Sequence, residues 1–118
     1  MKRLALSLAL VIGLVTGLSA CDEQTNVRNA INDAFPEQQN NAKAVRVADC
    51  ESDLNPRAVS AGGGNHGLFQ INSVHKGMVQ RMGYEWDQIY DPYVNAKVAR
   101  RIFNDAGGSW RPWGCRHA

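Results

Sequence analysis

Glu51 is the residue in this chain whose setting best suits acid–base chemistry. It opens the run Glu51-Ser52-Asp53-Leu54-Asn55-Pro56, and a glycine-led run, Gly67-Leu68-Phe69-Gln70-Ile71-Asn72, follows it. Val47 and Ala48 lie four and three residues before Glu51, which on a helix puts the carboxyl on the same face as apolar side chains. Pro56 disfavours the α conformation at Asn55, so the helix should stop near there and hold Glu51 in its last turn. The negative end of the helix dipole and the apolar neighbours both disfavour the ionised form and push the pKa upward. A carboxyl that keeps its proton near neutral pH can give it to a glycosidic oxygen. Amide side chains close by, as at Gln70 and Asn72, suit an acetamido sugar.

The elements that must position these residues read as helices. Pro36 suits a first helical position, and Glu37 to Glu51 runs on without another Pro or Gly. Before it, Val27, Ile31 and Ala34 predict a first short helix, while residues 22–26, Asp-Glu-Gln-Thr-Asn, lack apolar periodicity and read as a tether. Gly62, Gly63, Gly64 and Gly67 predict a flexible turn at the mouth of the site. They are not a phosphate cradle, because no Lys-Ser/Thr pair follows. Val74, Met78 and Met82, four apart, predict a helix whose stripe faces the core. Asp91-Pro92 predicts a cap and first position for a last helix, with Val94, Val98 and Ile102 buried and Lys97, Arg100 and Arg101 turned outward beside the helix C-terminus. Gly107-Gly108 should end it. Trp110 and Trp113 are candidates equally for stacking on sugar faces and for core packing.

Glu51, Ser52, Asn55, Pro56 and Ala58 match the Glu-Ser-x-x-Asn-Pro-x-Ala signature of the lysozyme-like lytic transglycosylases, and Gly67 to Asn72 match their second motif. The runs from Tyr90 to Phe103 and from Gly107 to Cys115 are similar to the C-terminal part of the small secreted members. The resemblance implies a mainly α, small single-domain lysozyme-like fold over residues 27–118 with one disulfide. It implies cleavage of the β-1,4 bond between N-acetylmuramic acid and N-acetylglucosamine in peptidoglycan. Glu51 would be acid and then base, taking a proton from the C6 hydroxyl of the muramic acid to give a 1,6-anhydro end. Ser52, Gln70 and Asn72 would position the sugar, and Phe69 would pack the floor of the site. Members of the family often carry a Tyr-Asn-Ala-Gly motif whose Tyr contacts the acid. Here Phe103-Asn104-Asp105-Ala106-Gly107 stands nearest, with no hydroxyl and one extra residue, so Tyr90 or Tyr93 supplies that contact or none does. Two other readings share these residues. A hydrolytic muramidase would need a second carboxylate, from Asp53, Asp87 or Asp91, and a wall-binding lipoprotein would keep the fold without catalysis.

The N-terminus predicts export. Lys2 and Arg3 precede an uncharged run to Ala20, which reads as a secretory signal over residues 1–20. Leu18-Ser19-Ala20-Cys21 resembles the bacterial lipoprotein processing box, in which the Cys is lipidated and becomes the new N-terminus. That implies a lipidated N-terminus at residues 21–26 and a membrane-anchored protein of the bacterial cell envelope, on its periplasmic or extracytoplasmic side. With Cys21 consumed by lipid, Cys50 and Cys115 remain, and in an oxidising compartment they should bridge. They stand 65 residues apart, a loop for which chain entropy gives about 4 kcal/mol.

Charge and spacing exclude other classes. The net charge of +2 is that of Lys2 and Arg3, so the rest of the chain is balanced and has no nucleic-acid footprint. Basic residues predominate after Pro56 and suit contact with an anionic wall. His66, His75 and His117 stand at no metal-ligand spacing, so neither metal nor cofactor is expected.

Overall fold

The computed structural model describes residues 21–118, so residues 1–20, read from the sequence as a secretory signal, lie outside the described residues. The chain is mainly α, a small single domain with one disulfide. Residues 21–34 are helical (α1), α2 is Gln38–Ser52, α3 is Lys76–Arg81 and α4 is Pro92–Asp105. Two short strands, β1 (Asn65–His66) and β2 (Ile71–Asn72), pair antiparallel with Asn65 opposite Asn72 and His66 opposite Ile71. Gly62 to Gly64 lie in the turn that leads into β1, and Gly67 lies in the turn that joins the two strands.

Apolar stripes gather these elements. Val27, Ala30, Ile31 and Ala34 of α1, Ala44, Val47 and Ala48 of α2, and Val94, Val98, Ala99, Ile102 and Phe103 of α4 are buried together around Leu68, Phe69 and Ile71 of the hairpin. Burying each large side chain contributes roughly 1.5–3 kcal/mol. Phe35, directly after α1, is fully buried, with Phe103 edge-on at 5.6 Å and Trp110 at 5.1 Å. Aromatic pairs add about 0.5–1.5 kcal/mol beyond their burial.

Four expectations are corrected. Residues 21–26, read as a tether, continue α1, because the stripe at Val27 and Ile31 anchors a helix that extends one polar turn further, and Glu23 pairs with Arg57 at 2.8 Å. Pro36 precedes α2, whose cap is Glu37, and α2 ends at Ser52, short of Asn55, because Asp53 turns left-handed at φ 55°. Val74 does not face the core. A 3-10 turn at Ser73–His75 precedes α3 and shifts the helical phase, so Val79 is buried and Val74 is 81% exposed. Arg100 does not point outward either. It lies over the rings of Phe35 and Phe103, at 5.3 and 5.5 Å, and forms a two-pronged ion pair with Glu37. The guanidinium beside Glu37 holds that carboxyl well below the usual carboxylate range.

The start and stop of α4 follow local chemistry. The Asp91 carboxylate accepts from the backbone N–H groups of Tyr93 and Val94, with Pro92 at the first helical position. Gly107 and Gly108 leave the helix with φ 74° and 75°.

One amide lies fully inside this apolar packing. Asn95 on α4 is fully buried. Its Nδ2 donates to the carbonyls of Ile89 at 2.9 Å and His66 at 3.1 Å, and its Oδ1 accepts from the Phe69 N–H at 2.8 Å. Asn95→Ala would leave these backbone groups unpaired inside the protein, at a cost of about 1–3 kcal/mol for each buried group stranded. The variant should melt roughly 10–20 °C lower in a thermal scan followed by circular dichroism. A midpoint within about 2 °C of the parent would show that the hairpin holds without this amide.

Candidate active site

Glu51 sits in the last turn of α2, half-buried, at the edge of a cleft with a volume of about 310 Å³. Three segments line the cleft beside it. The hairpin contributes Asn65, Gln70, Ile71 and Asn72, the 3-10 turn contributes His75, and Pro112, Trp113 and Gly114 form the facing wall, with Ile102 of α4 beneath. The disulfide between Cys50 and Cys115 joins the residue before Glu51 to the end of that wall. A methyl placed on Gly114 would lie 4.0 Å from Oε1 of Glu51, so this backbone passes directly over the carboxyl.

Desolvation raises the pKa of Glu51, and the backbone N–H of Cys115, which favours the ionised form, offsets part of that rise. Among the described residues no cation pairs with Glu51. Burial also lowers the pKa of His75, which favours the neutral imidazole over one that would add a countercharge. These conditions favour a carboxyl that holds its proton. The α2 C-terminus, with its negative dipole end, works in the same direction.

The residues read from the sequence as substrate contacts divide into two groups. Gln70 and Asn72 line the cleft with Glu51. Gln70 is held left-handed, φ 50°, and its Nε2 donates to the carbonyls of Gly67 and Ala58. Asn72 donates to Oδ1 of Asn65 at 3.0 Å and accepts from the Val74 N–H. This leaves Oε1 of Gln70 and Nδ2 of Asn65 without partners among the described residues. Ser52 does not line the cleft. It is buried, and its hydroxyl donates to the Leu68 carbonyl at 2.6 Å, tying α2 to the hairpin. Phe69 is fully buried and packs against Phe35, Trp110 and Trp113 as core.

Neither tyrosine reaches the acid. The Tyr90 hydroxyl hydrogen-bonds Nδ1 of His66 at 2.8 Å, and Tyr93 is not among the lining residues. The three aspartates weighed as a second carboxylate also lie off the cleft: Asp53 follows α2 in the left-handed region, Asp87 is exposed on the 3-10 helix Trp86–Tyr90, and Asp91 caps α4. Among the described residues that line the cleft, Glu51 is the one carboxylate. No group of three His, Cys, Asp or Glu among them gathers as a metal site.

Trp113 lines the cleft although it is largely buried, and its Nε1 donates to the Phe69 carbonyl at 3.0 Å. The segment Gly67 to Phe69 is thus held from three sides, by Asn95, Ser52 and Trp113. Sequence reading missed Asn95, His75 and Asn65. For Asn95 the one signal was an amide set among the apolar positions of α4.

A family model described as a lysozyme-like domain matches residues 21–115. No curated protein and no solved structure matches the chain.

The raised pKa of Glu51 couples to stability with a definite sign. A carboxyl whose folded pKa lies above its unfolded value contributes stability fully below the unfolded pKa, and this contribution is lost as pH rises through the folded pKa. Ionising Glu51 within the fold therefore works against folding. Glu51→Gln should melt higher than the parent at pH 7, and the difference should shrink as pH falls through the raised folded pKa and be gone below about 4.3, the unperturbed glutamate value. A variant that melts lower at pH 7 and equally at pH 3 would contradict the desolvation of Glu51.

Proposed function

The chain belongs to the lysozyme-like domain family, and on that premise we propose that it is a lytic transglycosylase of peptidoglycan with Glu51 as its acid and base. The observation that carries this reading is that Glu51 is the one carboxylate among the described residues lining the cleft. Hydrolysis through an activated water normally uses a second carboxylate several ångströms away. A transglycosylase needs one group to serve twice.

In the first step Glu51 gives its proton to the glycosidic oxygen as the bond from C1 of the muramic acid to that oxygen breaks. The substrate's own acetamido group assists at C1. In the second step the carboxylate of Glu51 takes the proton from the C6 hydroxyl, and that oxygen bonds to C1. The acid is restored and no water is consumed. The Cys115 N–H stabilises the carboxylate between the two steps. Oε1 of Gln70 and Nδ2 of Asn65 suit the N–H and carbonyl of an acetamido group. Ser52 and Asn95 act as positioning residues through the hairpin backbone.

We also propose that Cys21 carries the lipid anchor and that the protein works at the bacterial cell envelope. Cys21 is exposed and outside the disulfide, ahead of the buried stripe of α1, so acyl chains there leave the core untouched. Among the described residues no helix is long and apolar enough to cross a membrane, and acylation, at about 0.8 kcal/mol per buried CH₂, would supply the anchor.

Two experiments test these readings. Glu51→Gln keeps the size and hydrogen-bonding shape of the side chain but removes its proton, and should cut release of soluble fragments from purified peptidoglycan by at least about 10²-fold. Mass analysis of the parent's fragments should find anhydro ends, lighter by roughly 18 Da than ends made by attack of water, since the base activates the C6 hydroxyl. Reducing ends that borohydride converts to the alcohol would make the protein a muramidase instead. Cys21→Ala should abolish fatty-acid labelling and membrane retention in cells. A variant that still labels would place the lipid elsewhere.

A further inference from the structure

The cleft does not end at His75. A second depression of about 500 Å³ shares His75, Ile102 and Pro112 with it and runs on along the outer face of α3 to the end of α4. We propose that this groove binds the short acidic peptide carried by the muramic acid, with a peptide carboxylate held by Arg81 and small alkyl side chains laid on Val74 and Met78. The inference rests on the reading of the cleft as the glycan site, because continuity with the cleft is what brings the peptide there.

The lining distinguishes a peptide from further sugar. The cleft offers three amide side chains and a tryptophan, groups that suit hydroxyl and acetamido functions. The residues peculiar to the groove include neither an amide nor an aromatic side chain. They are aliphatic, with one guanidinium and one carboxylate. Val74 stands 81% exposed there, an aliphatic side chain kept in water by the 3-10 turn that rotated it off the core.

The charges are arranged to leave Arg81 available. Asp105, the groove's carboxylate, is occupied by Arg101 through contacts of 3.0 and 3.1 Å. Arg81 has no ion pair among the described residues. Its guanidinium lies over Gly77, where a Cβ would come within 3.2 Å of one of its terminal nitrogens. Glycine at that position lets the cation lie over the helix beside the aliphatic floor. A carboxylate is the natural partner for such a group, through two parallel hydrogen bonds. The stem peptide of peptidoglycan has this chemistry, with alanine methyls and carboxylates along a short chain attached beside the scissile bond.

The test compares two substrates: intact sacculi, and the same glycan strands stripped of peptide by an amidase. Arg81→Gln should lose about ten-fold in kcat/KM on the peptide-bearing wall, chiefly through KM. On stripped strands it should stay within about two-fold of the parent. Val74→Ser, at an exposed position, should show the same selectivity more weakly. Equal losses on both substrates, or no loss on either, would overturn the proposal. Binding is followed separately through methyl resonances of Val74 and Met78, with a disaccharide tetrapeptide and with the same disaccharide lacking the peptide. Saturable shifts given by the peptide form alone support the groove. Shifts given equally by both would assign it to sugar, and shifts given by neither would leave it without this ligand. Because this measurement needs no turnover, a parent protein that cleaves neither substrate would overturn the catalytic reading while the peptide site is still decided.

Discussion

The fold is organised around one buried amide. Asn95 enters the core on α4, where an unpaired polar group would cost about 1–3 kcal/mol, and all its hydrogen bonds go to backbone groups of other segments. The approach is so close that Gly67 can carry no side chain: a Cβ there would lie 2.4 Å from Nδ2 of Asn95 and 2.9 Å from the Ile89 carbonyl. Ser52 and Trp113 then hold the carbonyls of Leu68 and Phe69. A turn pinned by three elements has no freedom to drift. The two amide residues that follow it therefore face the cleft in a fixed register, with Gln70 locked into a left-handed conformation that costs free energy on its own.

Opposite this turn the acid is placed by a different balance. Apolar packing along α2 withdraws Glu51 from water, the helix end sets its negative dipole against the carboxylate, and among the described residues no cation restores the ionised form. Against these stands a single backbone N–H, from Cys115. That donor comes from the segment the disulfide fixes. The same bond therefore fixes the wall of the cleft and part of the electrostatics of its acid. A site built this way holds an interaction that opposes folding, which the surrounding packing and cross-link must outweigh.

Local chemistry was legible in the sequence, and phase and partnership were not. The spacing of Val47 and Ala48 to Glu51 placed the carboxyl on the apolar side of a helix near its end, because that inference needs only the helical repeat. Asp91-Pro92 and Gly107-Gly108 bounded α4 for equally local reasons, and the Cys50–Cys115 bridge followed from counting. Val74 was misread because one turn of 3-10 helix breaks the period on which a stripe argument depends. Arg100 was misread because its aromatic bed is assembled from Phe35 and Phe103, which are far apart in the chain. Ser52 and Asn95 are hardest of all to read, since both spend their polarity on backbone groups, and a backbone carbonyl leaves no mark in a sequence.

The long span between Cys50 and Cys115 also sets an order in time. Ribosomes deliver a chain from its N-terminus, so Glu51 and the hairpin emerge well before residues 112–115. Until those four residues arrive the cleft lacks a wall, and in a reducing compartment the wall lacks its covalent pin even then. Shape completion and oxidation are thus two successive conditions on one piece of backbone. A nascent or still-reduced chain would carry Glu51 without the finished enclosure around it.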